Sequence, residues 1–172
     1  TTYTNVTLKA CLAHDNVIGH AFNLSVAGIN LENCIALGSV NSGFNAAGVV
    51  RNCISAGNAA NGFAGTCSPN SSLAFNNTSA DFNVTADEYC ISEDASATGT
   101  GSLASRSFTA SLTPAAGNWV GLVNITAGSE DIHLIEFTNA EVNNAIDAGD
   151  TASTLAFDFE GNARVAATID IG

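Results

Sequence analysis

The sequence predicts an all-β protein with a right-handed parallel β-helix, and two repeated features carry this prediction. A short motif recurs with a spacing of about nineteen residues, starting at positions 11, 34, 53, 72 and 90. An aromatic residue closes each of the first four units, ten or eleven positions after its start. Repeats of this length are typical of solenoids, in which successive coils stack on one another.

Each unit joins a β-rich stretch to a turn rich in small residues, Asn and Gly. Residues 29–35 and 49–54 are such stretches, and residues 38–43 and 57–62 are such turns. Nineteen residues are too few for a strand and a full crossover helix, and no 3.6-residue period is sustained. Two or three short strands per coil fit this length, with coils about 4.8 Å apart. The strong preference of parallel crossovers for one hand makes the predicted coil right-handed.

Apolar residues flank the start of each unit at two positions. Leu8, Leu31 and Val50 lie three residues before it, and a second set lies one residue after it. The second set is Leu12, Ile35, Ile54, Leu73 and Ile91. The two sets share the parity of an alternating strand, so we expect them to face one interior.

Stacked coils turn each repeated position into a ladder of side chains. The aromatic ladder is Phe22, Phe44, Phe63 and Phe82. Each stacked aromatic pair is expected to contribute about 0.5–1.5 kcal/mol beyond burial. Asn33 and Asn52, with Ala10 and Ser71 at the equivalent places, are expected at a corner where stacked amides satisfy each other.

Four of the five cysteines, Cys11, Cys34, Cys53 and Cys90, occupy the first position of a unit. Free Cys packs as a small hydrophobe, so this spacing favours a ladder of thiols. The alternative is disulfide bonding between adjacent coils, with Cys67 off the ladder but able to pair with one of its members. No Cys-x-x-Cys spacing is present, which argues against a metal site at the ladder.

The charge balance excludes several classes of partner. Sixteen acidic residues against four Lys and Arg give a net charge of −12. A nucleic-acid surface needs a basic patch, and so does docking on anionic lipid. No apolar run approaches the length of a membrane span. We therefore expect no nucleic-acid partner and no membrane insertion.

Seven Asn-x-Ser/Thr motifs point to a secreted or cell-surface glycoprotein. The candidate glycosylation sites are Asn5, Asn23, Asn70, Asn76, Asn77, Asn83 and Asn124. Turns rich in Asn would produce the same excess, and this alternative stays open. The chain contains no Met, even at position 1, from which we expect a processed chain or an excised piece.

The period fades after Cys90, where residues 92–105 form a polar low-complexity loop. We therefore expect coils over residues 1–94. Over residues 95–172 we expect an irregular loop, further strands and a C-terminal cap of the same domain. The strand-like stretches of this second part lie at 119–125, 132–137 and 154–159.

Four short motifs follow one another in this last part. They are Asp131-Ile-His-Leu134, Ala145-Ile-Asp-Ala-Gly149, Asp158-Phe-Glu-Gly-Asn-Ala-Arg164 and Asp170-Ile-Gly172. In this order they resemble the end signature of secreted right-handed parallel β-helix repeat proteins of bacteria. The chain departs from that signature at Asn143 and Asn144, which replace Ser-Pro, and at Glu160, which replaces Asp. The resemblance implies that this region closes and caps the helix, and it implies no catalytic role.

Asp158, Glu160 and Asn162 have the oxygen-rich spacing of a calcium loop around a Gly turn, so Ca²⁺ is the one candidate cofactor. The alternative is that these acids cap turns and pair with Arg164. His133 is expected to make a structural hydrogen bond within its strand.

Polysaccharide lyases and hydrolases of this fold need a carboxylate pair or a calcium–Arg site on neighbouring coils. The candidates here are Asp15, Glu32, Arg51, Asp81, Asp87 and Glu88, and they are scattered. His14 and His20 flank Asp15 in a turn, which falls far short of a triad. We therefore expect no catalytic site, with a polysaccharide-binding or polysaccharide-degrading protein as the alternative.

The expected function is that of an extracellular structural module. A solenoid end exposes strand edges and ladder rungs, and the chain starts within a repeat and stops at Gly172. We therefore expect copies of the chain to associate head to tail into a surface fibre or adhesin-like polymer. The competing interpretation is that the sequence was cut from a longer repeat protein.

Overall fold

The computed structural model describes residues 6–126, 131–146, 148–150 and 157. Within these residues the chain forms short β-strands and no helix. Its parallel sheets stack as a β-solenoid of about 5 turns, roughly 19 residues apart. The predicted all-β parallel β-helix is therefore confirmed.

Three parallel sheets, with strands numbered in chain order, form the walls of the solenoid. Sheet A contains β1 (Val6–Lys9), β4 (Ile29–Glu32), β7 (Val49–Arg51) and β10 (Ser68–Asn70). Sheet B contains β2 (Leu12–His14), β5 (Ile35–Leu37), β8 (Ile54–Ala56), β11 (Leu73–Phe75) and β13 (Ile91–Ser92). Sheet C contains β3 (Phe22–Leu24), β6 (Phe44–Ala46), β9 (Phe63–Gly65) and β12 (Phe82–Asn83). Each of the first four coils gives one strand to each sheet.

One residue in the left-handed conformation turns the chain from sheet A into sheet B. Asn33 and Asn52 occupy this corner with φ of 52° and 49°. Ala10, Ser71 and Tyr89 hold the same place in the other coils, each with φ of 50°. Asn tolerates this conformation better than most residues because its short polar side chain bonds locally. The repeated Asn therefore marks a backbone requirement.

The interior is lined by one face of each sheet. It contains Leu31 and Val50 from sheet A, Ala36 and Ala74 from sheet B, Phe44 and Phe63 from sheet C, and the corner cysteines Cys34 and Cys53. All eight side chains are fully buried. The core is therefore built from small residues at the corner and on sheet B and from bulky residues on sheets A and C.

The second apolar set does not share this interior, so the expectation that both sets face one core is wrong. Ile35, Ile54, Leu73 and Ile91 belong to a separate cluster on the opposite, outer face of sheet B. The corner residue explains the difference. A left-handed residue between Leu31 and Ile35 ends one strand and starts another, so the alternation of side chains does not continue across it.

A fourth sheet covers the outer face of sheet B. It contains β14 (Ser107–Thr109), β15 (Trp119–Asn124) and β16 (Asp131–Leu134), with β14 parallel and β16 antiparallel to β15. Phe108, Val120 and Leu122 of this sheet pack in the outer cluster. The strands expected at 119–125 and 132–137 overlap β15 and β16, whereas that at 154–159 lies outside the described residues except for Phe157.

Candidate functional site

A row of polar and charged side chains crosses the outer face of sheet A. The strand register aligns Lys9 with Glu32, Glu32 with Arg51, Arg51 with Asn70, and Asn70 with Glu88. The residue before each of the first three packs in or against the interior cluster, so alternation sends the row outward. Glu32 therefore lies between two cations, Lys9 on β1 and Arg51 on β7.

Two ion pairs hold the N-terminal half of this row. Lys9 Nζ lies 2.7 Å from Glu32 Oε2, and Arg51 Nη1 lies 3.8 Å from Glu32 Oε1. The side chain of Glu32 is only 12% exposed, against 67% for Lys9. Both oxygens of this candidate carboxylate thus face cations, which suits a structural role better than acid–base chemistry.

A cavity of about 410 Å³ lies beside the C-terminal half of the row. Its lining includes Val49, Arg51, Pro69, Asn70, Glu88 and Asp150. Asn70 Nδ2 lies 3.2 Å from Asp150 Oδ2 and 3.5 Å from Glu88 Oε2. One amide between two carboxylates, with a guanidinium on the neighbouring coil, offers both donors and acceptors to a ligand rich in hydroxyl groups.

Only the fold brings Asp150 to this cavity. It lies 80 residues from Asn70 in the sequence and belongs to no repeat. Its backbone N–H donates to Ser71 Oγ at 2.9 Å, which joins this segment to the corner of the fourth coil. Nothing in the spacing of Asp150 along the sequence signals Asn70 as a neighbour.

The four ladder phenylalanines form one continuous stack. Successive ring centroids are 4.8–4.9 Å apart, and successive planes are within 5° of parallel. Phe44 and Phe63 are fully buried, whereas Phe22 in the first coil is half-buried. The stack is a core element, so these aromatic rings do not form a ligand platform.

All five cysteines are free thiols. Cys34, Cys53 and Cys90 are fully buried, and Cys11 in the first coil is half-buried. The backbone N–H of Cys34 lies 3.4 Å from Cys53 Sγ, so neighbouring rungs are in contact. Burial raises the pKa of Cys67, which lies off the ladder, to about 11.

Asn33, predicted at an amide ladder, donates from Nδ2 to the carbonyl oxygen of Phe157 at 2.7 Å.

A second column of amides, which the sequence reasoning missed, follows sheet B. Asn58 Nδ2 donates to Asn77 Oδ1 at 2.8 Å, and Asn58 Oδ1 accepts from the backbone N–H of Ser39 at 3.0 Å. The spacing of nineteen between residues 39, 58 and 77 is the signal that could have found it.

Asp81 and Asp87 hold turns of the fifth coil. Asp81 Oδ2 accepts from the backbone N–H groups of Glu93 at 2.7 Å and Asp94 at 3.2 Å. Burial raises the pKa of Asp81 to about 6. Asp87 Oδ2 accepts from the backbone N–H of Gly99 at 3.1 Å and from Ser102 Oγ at 2.7 Å. Both carboxylates therefore stabilise backbone turns of the fifth coil.

The histidine candidates make local contacts. His14 Nδ1 lies 3.0 Å from Asp15 Oδ2, and both side chains are largely exposed. His133 Nδ1 contacts Asp131 Oδ1, and this hydrogen bond lowers the pKa of Asp131. Each pair consists of near neighbours in sequence on the surface, which is not the enclosed arrangement of a catalytic dyad.

The sequons differ in their accessibility. Asn23, Asn76 and Asn83 are exposed, whereas Asn70, Asn77 and Asn124 are half-buried. Asn77 Nδ2 already donates to the carbonyl oxygen of Ser55 at 3.1 Å and to Asp81 Oδ1 at 2.8 Å. A glycan on Asn77 would therefore replace two internal hydrogen bonds. Asn5 lies outside the described residues, as do the calcium candidates Asp158, Glu160 and Asn162.

Within the described ranges, no three His, Cys, Asp or Glu side chains are close enough together to hold a metal ion. Those ranges also contain no helix long and apolar enough to cross a bilayer. Comparison of the chain with protein-family models, curated proteins and solved structures yields no match.

Proposed function

We propose that this chain is a non-catalytic extracellular structural module that associates head to tail with further copies of itself. The edge of the first coil carries the proposal. Among the described strands, β1, β2 and β3 each pair on one side only, with β4, β5 and β6. The unpaired side of such a strand presents N–H and C=O groups to which another strand can bond.

The ladders are incompletely covered at the same edge. Cys34 and Phe44 are 0% exposed in the second coil, whereas Cys11 and Phe22 at the matching positions are half-buried. Another coil stacked on this edge would bury Cys11 and Phe22 and would extend the cysteine and phenylalanine ladders. A second copy supplies a coil with the matching rungs. Continued parallel pairing makes the contact head to tail, and such a contact produces a filament when it does not close.

The sequence supports an extracellular setting. Seven sequons are present, and three of them lie on exposed side chains of the coils. The net charge of −12 keeps isolated copies apart at low ionic strength and permits closer approach in salt. We therefore place assembly in a medium of at least physiological salt.

A Pro substitution at the open edge tests the proposal. Val6 N–H donates to Gly28 O at 3.0 Å and Ala10 N–H to Glu32 O at 3.0 Å, so both point towards β4. Alternation then directs the N–H of Thr7 towards the open edge. Thr7→Pro removes that donor and leaves the pairing with β4, and Thr7→Ala is the matched control because it keeps the N–H.

The measurement is sedimentation velocity with negative-stain microscopy, at rising protein concentration in salt and calcium. We expect wild type and Thr7→Ala to form filaments and Thr7→Pro to stay monomeric. Monodisperse wild-type monomers at high concentration would contradict self-association. A closed dimer would contradict the head-to-tail arrangement.

The cavity beside Asn70 favours one second candidate function, binding of a polysaccharide. Its support is the grouping of Arg51, Glu88 and Asp150 around that amide. Calorimetric titration with acidic and neutral polysaccharides tests it, with Arg51→Gln expected to weaken binding. Lys9→Gln is the control, because Lys9 lies in the same row but outside the cavity. Absence of binding and of cleavage would dismiss this candidate.

A further inference from the structure

Cys11 and Cys34 lie on adjacent rungs of one corner. The register aligns Leu12 with Ile35, and the backbone N–H of Ile35 donates to the carbonyl oxygen of Cys11 at 2.9 Å. Cys34 belongs to the interior cluster, and Cys11 packs against it. The separation of paired strands, about 4.8 Å, falls within the range of Cα distances that disulfides span.

The two thiols differ in their access to solvent. Cys34 is fully buried, and so are the other three cysteines, Cys53, Cys67 and Cys90. Cys11 alone among the five is half-buried, at the edge of the first coil. A small reagent therefore reaches Cys11 before any other sulfur of the chain.

Cys53, the next cysteine of the ladder, makes Cys34 more reactive. A hydrogen bond with the Cys53 thiol lowers the pKa of Cys34 below its usual value, while burial raises the pKa of Cys53. Of these two sulfurs, Cys34 is therefore the one that deprotonates first. Its thiolate would lie next to the half-buried thiol of Cys11. Burial and the neighbouring Cys34 raise the pKa of Cys11, so Cys11 reacts first because solvent reaches it and not because it is the more acidic thiol.

We propose that Cys11 and Cys34 are a redox-active pair that closes into a disulfide between the first two coils, with a small-molecule disulfide such as oxidised glutathione as the oxidant. The inference does not depend on the proposed self-association. It assigns the Cys11 sulfur as the entry point and Cys34 as the resolving thiol.

The chemistry is two thiol–disulfide exchanges. The Cys11 thiolate attacks one sulfur of the oxidant, so a mixed disulfide forms and one small thiolate leaves. The Cys34 thiolate then attacks the Cys11 sulfur, forming the protein disulfide and releasing the second small thiolate. Two protein thiols lose two electrons and two protons, and the small disulfide becomes two thiols.

Position in the solenoid favours this pair over Cys34 and Cys53. A disulfide needs Cβ atoms about 3.8 Å apart, closer than the strand spacing, so one coil has to shift. Among the described strands, β2 is paired on one side and β5 and β8 on both. Within these described strands, the first coil can therefore move towards the second coil without breaking any pairing on its other side.

Trypsin separates the competing products. Cleavage after Lys9, Arg51 and Arg106 places Cys11 and Cys34 together in peptide 10–51, and the other three cysteines in peptide 52–106. The whole reduced chain is incubated with oxidised glutathione, quenched in acid, alkylated, digested and analysed by mass spectrometry. We expect peptide 10–51 to lack two hydrogens and carry no alkyl group, and peptide 52–106 to be alkylated three times.

Peptide 10–51 cross-linked to 52–106, alkylated at both its cysteines, or left as a stable glutathione adduct would overturn the proposal. The Cys34→Ser variant is expected to stop at the mixed disulfide on Cys11. Circular dichroism checks that this variant is still folded, so that the product can be interpreted. Cys53→Ala, which removes the group that hydrogen-bonds Cys34, is expected to form the same disulfide more slowly. Cys90→Ala, at a buried position of the same ladder, is the matched control and should behave as wild type.

Discussion

The ring of Phe108 stacks on the ring of Phe75, with centroids 4.5 Å apart and planes 16° from parallel. Phe75 belongs to β11 on the outer face of sheet B, and Phe108 belongs to β14 of the fourth sheet. Both side chains are buried, 0% and 9% exposed. This contact joins the repeat region to the C-terminal part, so the two parts share a second core and should unfold together.

Phe108→Ala should therefore destabilise the whole chain. The substitution removes the buried ring of Phe108 and its stacking contact with Phe75, so a loss of about 3 kcal/mol in the free energy of unfolding is expected. Urea unfolding followed by circular dichroism measures the loss. Val123→Ala is the control because Val123, on β15 of the same sheet, is 47% exposed. Equal effects of the two substitutions would show that the fourth sheet does not support the solenoid.

The Phe stack should show a gradient of stability along its length. Phe63→Ala removes a fully buried ring with a stacked neighbour on each side, at a cost of about 3–5 kcal/mol. Phe22→Ala removes a half-buried ring with one neighbour in the described stack, so a smaller loss is expected. The comparison of their urea midpoints checks this, and an equal or larger loss for Phe22→Ala would contradict it.

The buried carboxyl of Asp81 should make stability rise as the pH falls from about 6 towards about 4. Burial raises its folded-state pKa to about 6, above the ordinary value of 3.8, so the folded chain binds this proton more tightly. This contribution to the free energy of unfolding is fully present below pH 3.8, the pKa of Asp81 in the unfolded chain, and is lost as the pH rises through about 6. Its upper bound is about 3 kcal/mol.

Asp81→Asn isolates this effect from that of the other acids. Unfolding free energies of wild type and variant are measured between pH 4 and 7, and their difference is plotted against pH. We expect that difference to favour wild type more at pH 4 than at pH 7. A difference independent of pH would show that Asp81 titrates normally.

Ala10→Gly should stabilise the chain. Ala10 is exposed and holds φ of 50°, a conformation that costs a residue with a Cβ about 1 kcal/mol. Ala59→Gly is the control, since Ala59 is an exposed turn residue outside the left-handed region and should lose up to about 1 kcal/mol. Thermal unfolding compares them, and a lower midpoint for Ala10→Gly would refute the corner argument.

Much of the repeat region could be predicted because stacking makes each coil a copy of the last. The spacing of Phe22, Phe44 and Phe63 specifies which rings meet, whatever the path of the chain between them. The candidate site was less predictable. Lys9, Glu32 and Arg51 align only once the lengths of the individual strands are known, and the first coil is longer than nineteen residues.

The sequence by itself determined the solenoid, its repeat length and the residues of its aromatic and thiol ladders, because a periodic pattern has one way to bring equivalent positions together. Tertiary structure alone decided which way the apolar set around Ile35 and Ile54 faces. The left-handed residue at each corner resets the alternation and directs these side chains outward. Tertiary structure also brought Phe108 onto Phe75 and Asp150 to Asn70, since contacts between non-repeating segments leave no period in the sequence.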